Sequence, residues 1–139
     1  MSLVFPMPLH AKLTEYEQLK SKGEAFYTEG SYGLAYEVYL KADALQLPPS
    51  ETRWVDFRTA DTMWRSQAAT QSHDSTKYEK ARRQLEVLVR DIKRQDERDY
   101  IWAEVQESLG DFWWLRRNST NWYTAWPYYQ KALDRKKII

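Results

Sequence analysis

Apolar positions recur three and four residues apart along nearly the whole chain, and strand-like alternation is absent, so the pattern predicts an all-α protein. Glycine and proline fall between the periodic segments, where helices stop. A first helix is expected from Thr14, where Thr14-Glu-Tyr-Glu17 reads as a capping box, to about Glu29 ahead of Gly30. A second follows from Ser31 with Ala35, Val38, Tyr39, Ala42 and Leu45 on one face, and Pro48-Pro49 is expected to end it. A third starts after Ser50 and carries Trp54, Phe57, Ala60, Met63, Trp64 and Ala68, fading into a polar loop from Thr70 to Ser75. Thr76-Lys-Tyr-Glu79 reads as a second capping box, opening a fourth helix striped by Tyr78, Ala81, Leu85, Leu88, Val89 and Ile92. Asp96, Glu97 and Asp99 suit the positive end of a fifth, whose stripe is Ile101, Val105, Leu109, Phe112 and Trp113, closed by Asn118-Ser-Thr-Asn121. The sixth, from about Trp122 to Arg135, contains Pro127 beyond its first turn, which predicts a kink or a late start.

At 139 residues the chain fits one domain. The expected division is an irregular leader over 1–12, one helical domain over 13–135, and a tail over 136–139 where a longer chain could have been cut. An aromatic share of 15%, with seven Trp and ten Tyr, makes large rings the main source of buried area. Lys and Arg total 21 against 20 Asp and Glu, so no net field draws the chain to nucleic acid. No stretch approaches the roughly 20 apolar residues of a membrane span, and no membrane insertion is expected. Without cysteine there is no disulfide framework or thiolate site.

The three pairs of helices share a pattern. Gly23, Phe26, Ala35, Tyr39 and Ala42 in the first answer to Ala60, Met63, Ala81, Leu85 and Leu88 in the second, and to Gly110, Trp113, Ala125, Tyr129 and Ala132 in the third. Small residues allow two helices to approach closely where they cross, and the large ones fill the space beside each crossing. The first pair resembles the tetratricopeptide repeat through Gly23-Glu-Ala-Phe-Tyr27, Gly30-Ser-Tyr32, Ala35, Tyr39, Lys41-Ala42 and Pro48. That resemblance implies a short right-handed solenoid of about three stacked antiparallel hairpins, six helices in all, acting as a protein-interaction or interdomain scaffold. Twelve residues separate the two small residues of the first pair, twenty-one those of the second and fifteen those of the third, so the later hairpins depart from the family spacing. Ala60-Asp-Thr-Met-Trp-Arg65 and Trp102-Ala-Glu-Val-Gln-Glu-Ser-Leu-Gly-Asp-Phe-Trp-Trp-Leu-Arg116 also resemble the helical repeat segment of bacterial alpha-2-macroglobulin-type proteins. That second resemblance implies a fragment of a larger cell-envelope or secreted protein.

Catalytic chemistry has no visible carrier. His10 and His73 lack a partner at ligand spacing, no nucleophile elbow or phosphate loop occurs, and no cofactor or metal is expected. Arg82, Arg83, Arg90, Lys93 and Arg94 on the fourth helix are interleaved with Glu79, Glu86 and Asp91, which favours a solvated face over a nucleic-acid site. The recurrent feature is an acid directly after each small crossing residue, Glu24, Asp61 or Asp111, with a ring three residues on, Tyr27, Trp64 or Trp114. By the tetratricopeptide resemblance these six would line one concave wall. Acids and rings there suit a segment carrying Lys or Arg, from another protein or a neighbouring domain, through charge-assisted hydrogen bonds and cation–π contacts. The competing reading is repeat packing. A nucleic-acid-binding helical domain and an enzyme with an unrecognised carboxylate site stand as the alternatives of other classes. Trp122, Trp126 and Tyr128 are too many rings for one helix to bury inward, so self-association through the C-terminal hairpin is a further expectation.

Overall fold

A computed structural model describes residues 6–70, 75–115 and 121–139, and these form six α-helices and no strand. The helices are α1 (Leu9–Thr28), α2 (Tyr32–Asp43), α3 (Pro49–Ala69), α4 (Ser75–Arg90), α5 (Tyr100–Trp114) and α6 (Asn121–Lys136), with a short 3-10 turn at Gln95–Glu97. Each helix packs on the next in sequence, and α3 also packs on α5.

Among the described residues the ends of α1 and α2 differ from the pattern's expectation, each for a local reason, and Thr76, read as a cap, lies inside α4. Helix α1 begins at Leu9, inside what the sequence suggested was an irregular leader. Pro8 has an extended ψ of 149° and its carbonyl takes the first helical bond, from the Lys12 N–H, while the residue before a proline resists helix. Thr14 is therefore inside the helix, and its hydroxyl donates to the His10 carbonyl at 3.0 Å instead of capping. At the other end of the first hairpin, α2 stops at Asp43, before the prolines. Gln46 takes a positive φ of 55° to turn the chain, and Pro49 becomes the first residue of α3, where its missing N–H is not needed. Helix α6 runs through Pro127 rather than starting after it. The carbonyl deprived of its donor is that of Tyr123, and Tyr123 is 80% exposed. Asp99 caps α5 as the acids there suggested, accepting from the Trp102 N–H at 2.8 Å. The expected closing signal at Asn118–Thr120 and His73 lie outside the described residues.

The core sits between successive helix pairs. Tyr16, Tyr39, Ala42 and Val55 join α1, α2 and α3, and a larger cluster of Phe57, Ala60, Met63, Trp64, Ala81, Leu85, Val105, Leu109 and Phe112 joins α3, α4 and α5. Ala35, Ala81 and Ala125, one from each second helix, are fully buried. The close approach these small residues permit is tightest at two glycines. A Cβ on Gly23 would lie 2.7 Å from Tyr39 Cε2, and one on Gly110 would lie 2.7 Å from Tyr129 Cε1. Equivalent tyrosine rings in the first and third hairpins therefore press against equivalent glycines, and Leu85 stands where the second hairpin has alanine in place of glycine.

Candidate functional site

The glycine contact fixes where the acids go. Tyr39, lying on Gly23, directs its hydroxyl to the carboxylate of Glu24, and Tyr129, lying on Gly110, donates to Asp111 Oδ1 at 2.6 Å. Burial, and then the hydrogen bond to the acid, pushes both phenols above their ordinary range. The second hairpin has Leu85 in place of that tyrosine, and Asp61 is fully buried. Asp61 instead accepts from the Ser108 hydroxyl at 2.5 Å and from Arg65 Nε at 2.9 Å, with Arg58 Nη1 3.5 Å away.

Two arginines of α3 then join the three acids into one line. Arg58 grips Glu24 of α1 through Nε and Nη2, both at 2.9 Å, and Arg65 reaches Asp111 of α5 at 2.7 Å. The sequence of charges is Glu24, Arg58, Asp61, Arg65, Asp111, alternating in sign throughout. Burial alone would push both guanidiniums down, but the hydrogen bonds and charges of the surrounding acids hold each above its usual value. Rings cover the same cations. Arg58 lies 3.6 Å from the centre of the Tyr27 ring and 4.6 Å from that of Trp54, and Arg65 lies 4.4 Å from that of Trp64. The Tyr27 phenol is raised by burial first and by neighbouring Asp61 next.

Glu24, Tyr27, Asp61, Trp64 and Asp111 are thus brought together as the sequence suggested, and cations do occupy the acids and rings. The cations are the chain's own. Asp61 has no exposed surface and Trp64 is 1% exposed, its Nε1 donating to Ser108 at 3.1 Å, so neither presents a face to an incoming segment. Sequence reasoning passed over Arg58 and Arg65, although they stand three residues before and four after Asp61, the spacing at which helical side chains meet.

Trp114 is placed differently from its two counterparts. It is 52% exposed and meets Trp122 edge-to-face with ring centres 4.9 Å apart, and Trp122 in turn is 5.6 Å from Trp126. Trp122 and Trp126 are 41% and 49% exposed, and Leu115, Tyr123 and Leu133 are exposed beside them on the C-terminal hairpin. Tyr128, grouped with these rings by sequence, turns inward instead and packs on the central core cluster. On α4, Arg82 is held by Glu79 at 2.5 Å and Glu86 at 3.0 Å, and Arg94 beyond it by Asp96 at 2.8 Å, so much of the basic strip is neutralised locally. No group of three or more potential metal ligands occurs, and no helix is long and apolar enough to cross a membrane, both among the described residues. No protein-family model, characterised protein or solved structure matches this chain.

Proposed function

We propose that the chain is a non-catalytic scaffold that binds protein, built as a right-handed, tetratricopeptide-like stack of three helical hairpins. The observation that carries this reading is the exposed ring cluster of Trp114, Trp122 and Trp126, on a molecule whose acid-and-arginine line is satisfied internally. If a full tryptophan offers about 250 Å², these three leave on the order of 350 Å² of indole in water, the size of patch that monomers keep for interaction. Tryptophan dominates binding energy at such surfaces because it brings large area at low entropic cost. Of the six candidate residues, Trp114 alone retains a direct binding role in this reading. Glu24, Tyr27, Asp61, Trp64 and Asp111 hold the hairpins that present it. The partner is a protein or peptide segment, or a neighbouring domain of the same chain if the macroglobulin-type resemblance holds. A peptide library displayed on phage and selected on the intact chain tests this. Sequences should enrich that bind the wild type and lose binding to Trp114→Ala; failure to enrich any, or equal binding to both proteins, refutes the reading.

A further inference from the structure

The repeat shows which face of each second helix its successor covers. Three residues before the buried alanines Ala35, Ala81 and Ala125 stand Tyr32, Tyr78 and Trp122. Tyr32 is half-buried with Arg65 of α3 5.9 Å from its ring, and Tyr78 meets Phe112 of α5 at 5.9 Å, so in both cases the next hairpin's first helix closes over the ring. One residue after Ala35, Tyr36 packs on the central core cluster, and eight after Ala81, Val89 does the same. Their counterparts on α6 are Trp126 and Leu133, which are half exposed. The downstream face of α6 thus exposes apolar side chains at both of the positions that one or the other earlier hairpin covers, Arg82 and Asp43 standing at the remaining two.

The upstream face of α1 is its opposite. Val55 of α3 and Val105 of α5, five residues before their small crossing residues, are buried, but the corresponding position of α1 is the exposed Gln18, flanked by exposed Glu17 and with exposed Ser21 one turn on. A polar outer face is what an end of a repeat array presents to water. Head-to-tail addition of a second copy would set that polar face on tryptophan, so it is disfavoured.

The downstream stripe of α6 reads Trp122, Trp126, Gln130, Leu133, Lys137, with steps of three and four residues that keep it on one side of the helix over about 22 Å. It is complementary to itself when reversed. We infer that two copies of this chain pair through α6, antiparallel about a two-fold axis near Gln130. Trp126 of each then packs on Leu133 of the other, and Trp122 of each lies under Lys137 of the other. The aromatic half of each stripe meets the aliphatic and cationic half of its mate, which a parallel pairing does not achieve. This rests on the scaffold reading of the ring cluster and names its occupant as a second copy.

The chain has no cysteine, so a single introduced thiol reports one contact. Light scattering of the intact chain should give twice the monomer mass. Gln130→Cys should form a disulfide-linked dimer on mild oxidation, whereas Glu17→Cys should not. Trp126→Asp and Leu133→Asp should each return a monomer with unchanged helical circular dichroism, and Lys137→Glu should raise the dimer dissociation constant about fivefold or more. A monomer at all concentrations overturns the pairing, as does a dimer indifferent to both aspartates or a disulfide between mixed Glu17→Cys and Gln130→Cys chains. A monomer that still selects peptides through Trp114 overturns the pairing alone and leaves the scaffold reading in place.

Discussion

Replacing Gly23 by alanine sets two well-measured effects against each other. In an open helix the change stabilises by about 1 kcal/mol, because alanine loses less backbone freedom on folding. Here the new methyl would lie 2.7 Å from Tyr39 Cε2 and 3.0 Å from Cζ. The ring cannot swing aside cheaply, since Tyr39 is fully buried and its hydroxyl is held by Glu24, which Arg58 grips in turn. Overpacking of this kind costs about 1–3 kcal/mol, and a weakened bond to a charged acceptor adds roughly 1.5 kcal/mol or more. The repulsive terms win, and Gly23→Ala is expected to destabilise by about 1.5 kcal/mol or more. The second hairpin supplies the control, because Ala60 and Leu85 share its core without conflict. In a Tyr39→Leu background Gly23→Ala should therefore recover its gain of about 1 kcal/mol, giving a coupling of at least about 2 kcal/mol. Urea denaturation followed by far-ultraviolet circular dichroism measures all four corners of this cycle. Stabilisation by Gly23→Ala in the wild type, or the same effect in both backgrounds, would refute the close-contact reasoning.

Gly110→Ala should cost less than Gly23→Ala in the same assay, since Tyr129 is only half-buried and has room to yield. Arg65→Ala leaves Asp61 buried without its nearest cation and should destabilise by about 3–5 kcal/mol in urea titrations; a loss under 1 kcal/mol would show that the line of charges is idle. Trp64→Ala should lose about 3–5 kcal/mol, whereas Trp114→Ala should stay within about 1 kcal/mol of wild type, with acrylamide quenching reaching the second ring and not the first. Tyr16 is raised to about 12, chiefly by burial and then by Glu17, and Tyr27, Tyr39 and Tyr129 are raised as well. The folded state therefore holds phenolic protons that the unfolded chain releases near pH 10, so stability is intact below pH 10 and falls as pH climbs toward 12. Urea midpoints at pH 8, 10 and 11 check this, and flat midpoints would contradict the burial of these phenols.

The helices and their crossings were legible because a crossing is a local demand on side-chain size. Gly23, Ala35, Ala60, Ala81, Gly110, Ala125 and Ala132 are all buried where the pattern placed them. Helix ends were less legible, since Thr14 and Pro48-Pro49 each allow two local outcomes that tertiary packing decides. Half-buried Ala11, Lys12 and Leu13 show that the turn before Thr14 is partly covered, which favours helix there. Of the acids and rings picked out by sequence, Glu24, Tyr27, Asp61, Trp64 and Asp111 meet the chain's own arginines, and Trp114 meets none among the described residues. The source of those cations was hidden because sequence shows that Arg58 and Arg65 flank Asp61, but not that α1 and α5 approach α3 closely enough for Glu24 and Asp111 to take the other ends.

That arrangement gives the molecule something that small-residue crossings alone do not. Alanine and glycine let helices approach, yet they define the position along the axis weakly, because one turn of slip still places a small residue near the crossing. Charges spaced as on α3 penalise such a slip. Arg58, Asp61 and Arg65 alternate in sign at helical intervals, so displacing α5 by one turn toward the start of α3 would carry Asp111 from Arg65 toward Asp61. Asp111 would then face the fully buried Asp61, where repulsion is least screened. An apolar set of the same size would bury as easily and hold the hairpins together as well, but it would tolerate the shifted register. In the proposed scaffold, the presentation of Trp114, Trp122 and Trp126 from the junction of α5 and α6 would depend on that register, since the rings of two helices compose one surface only while α5 stays fixed against α3.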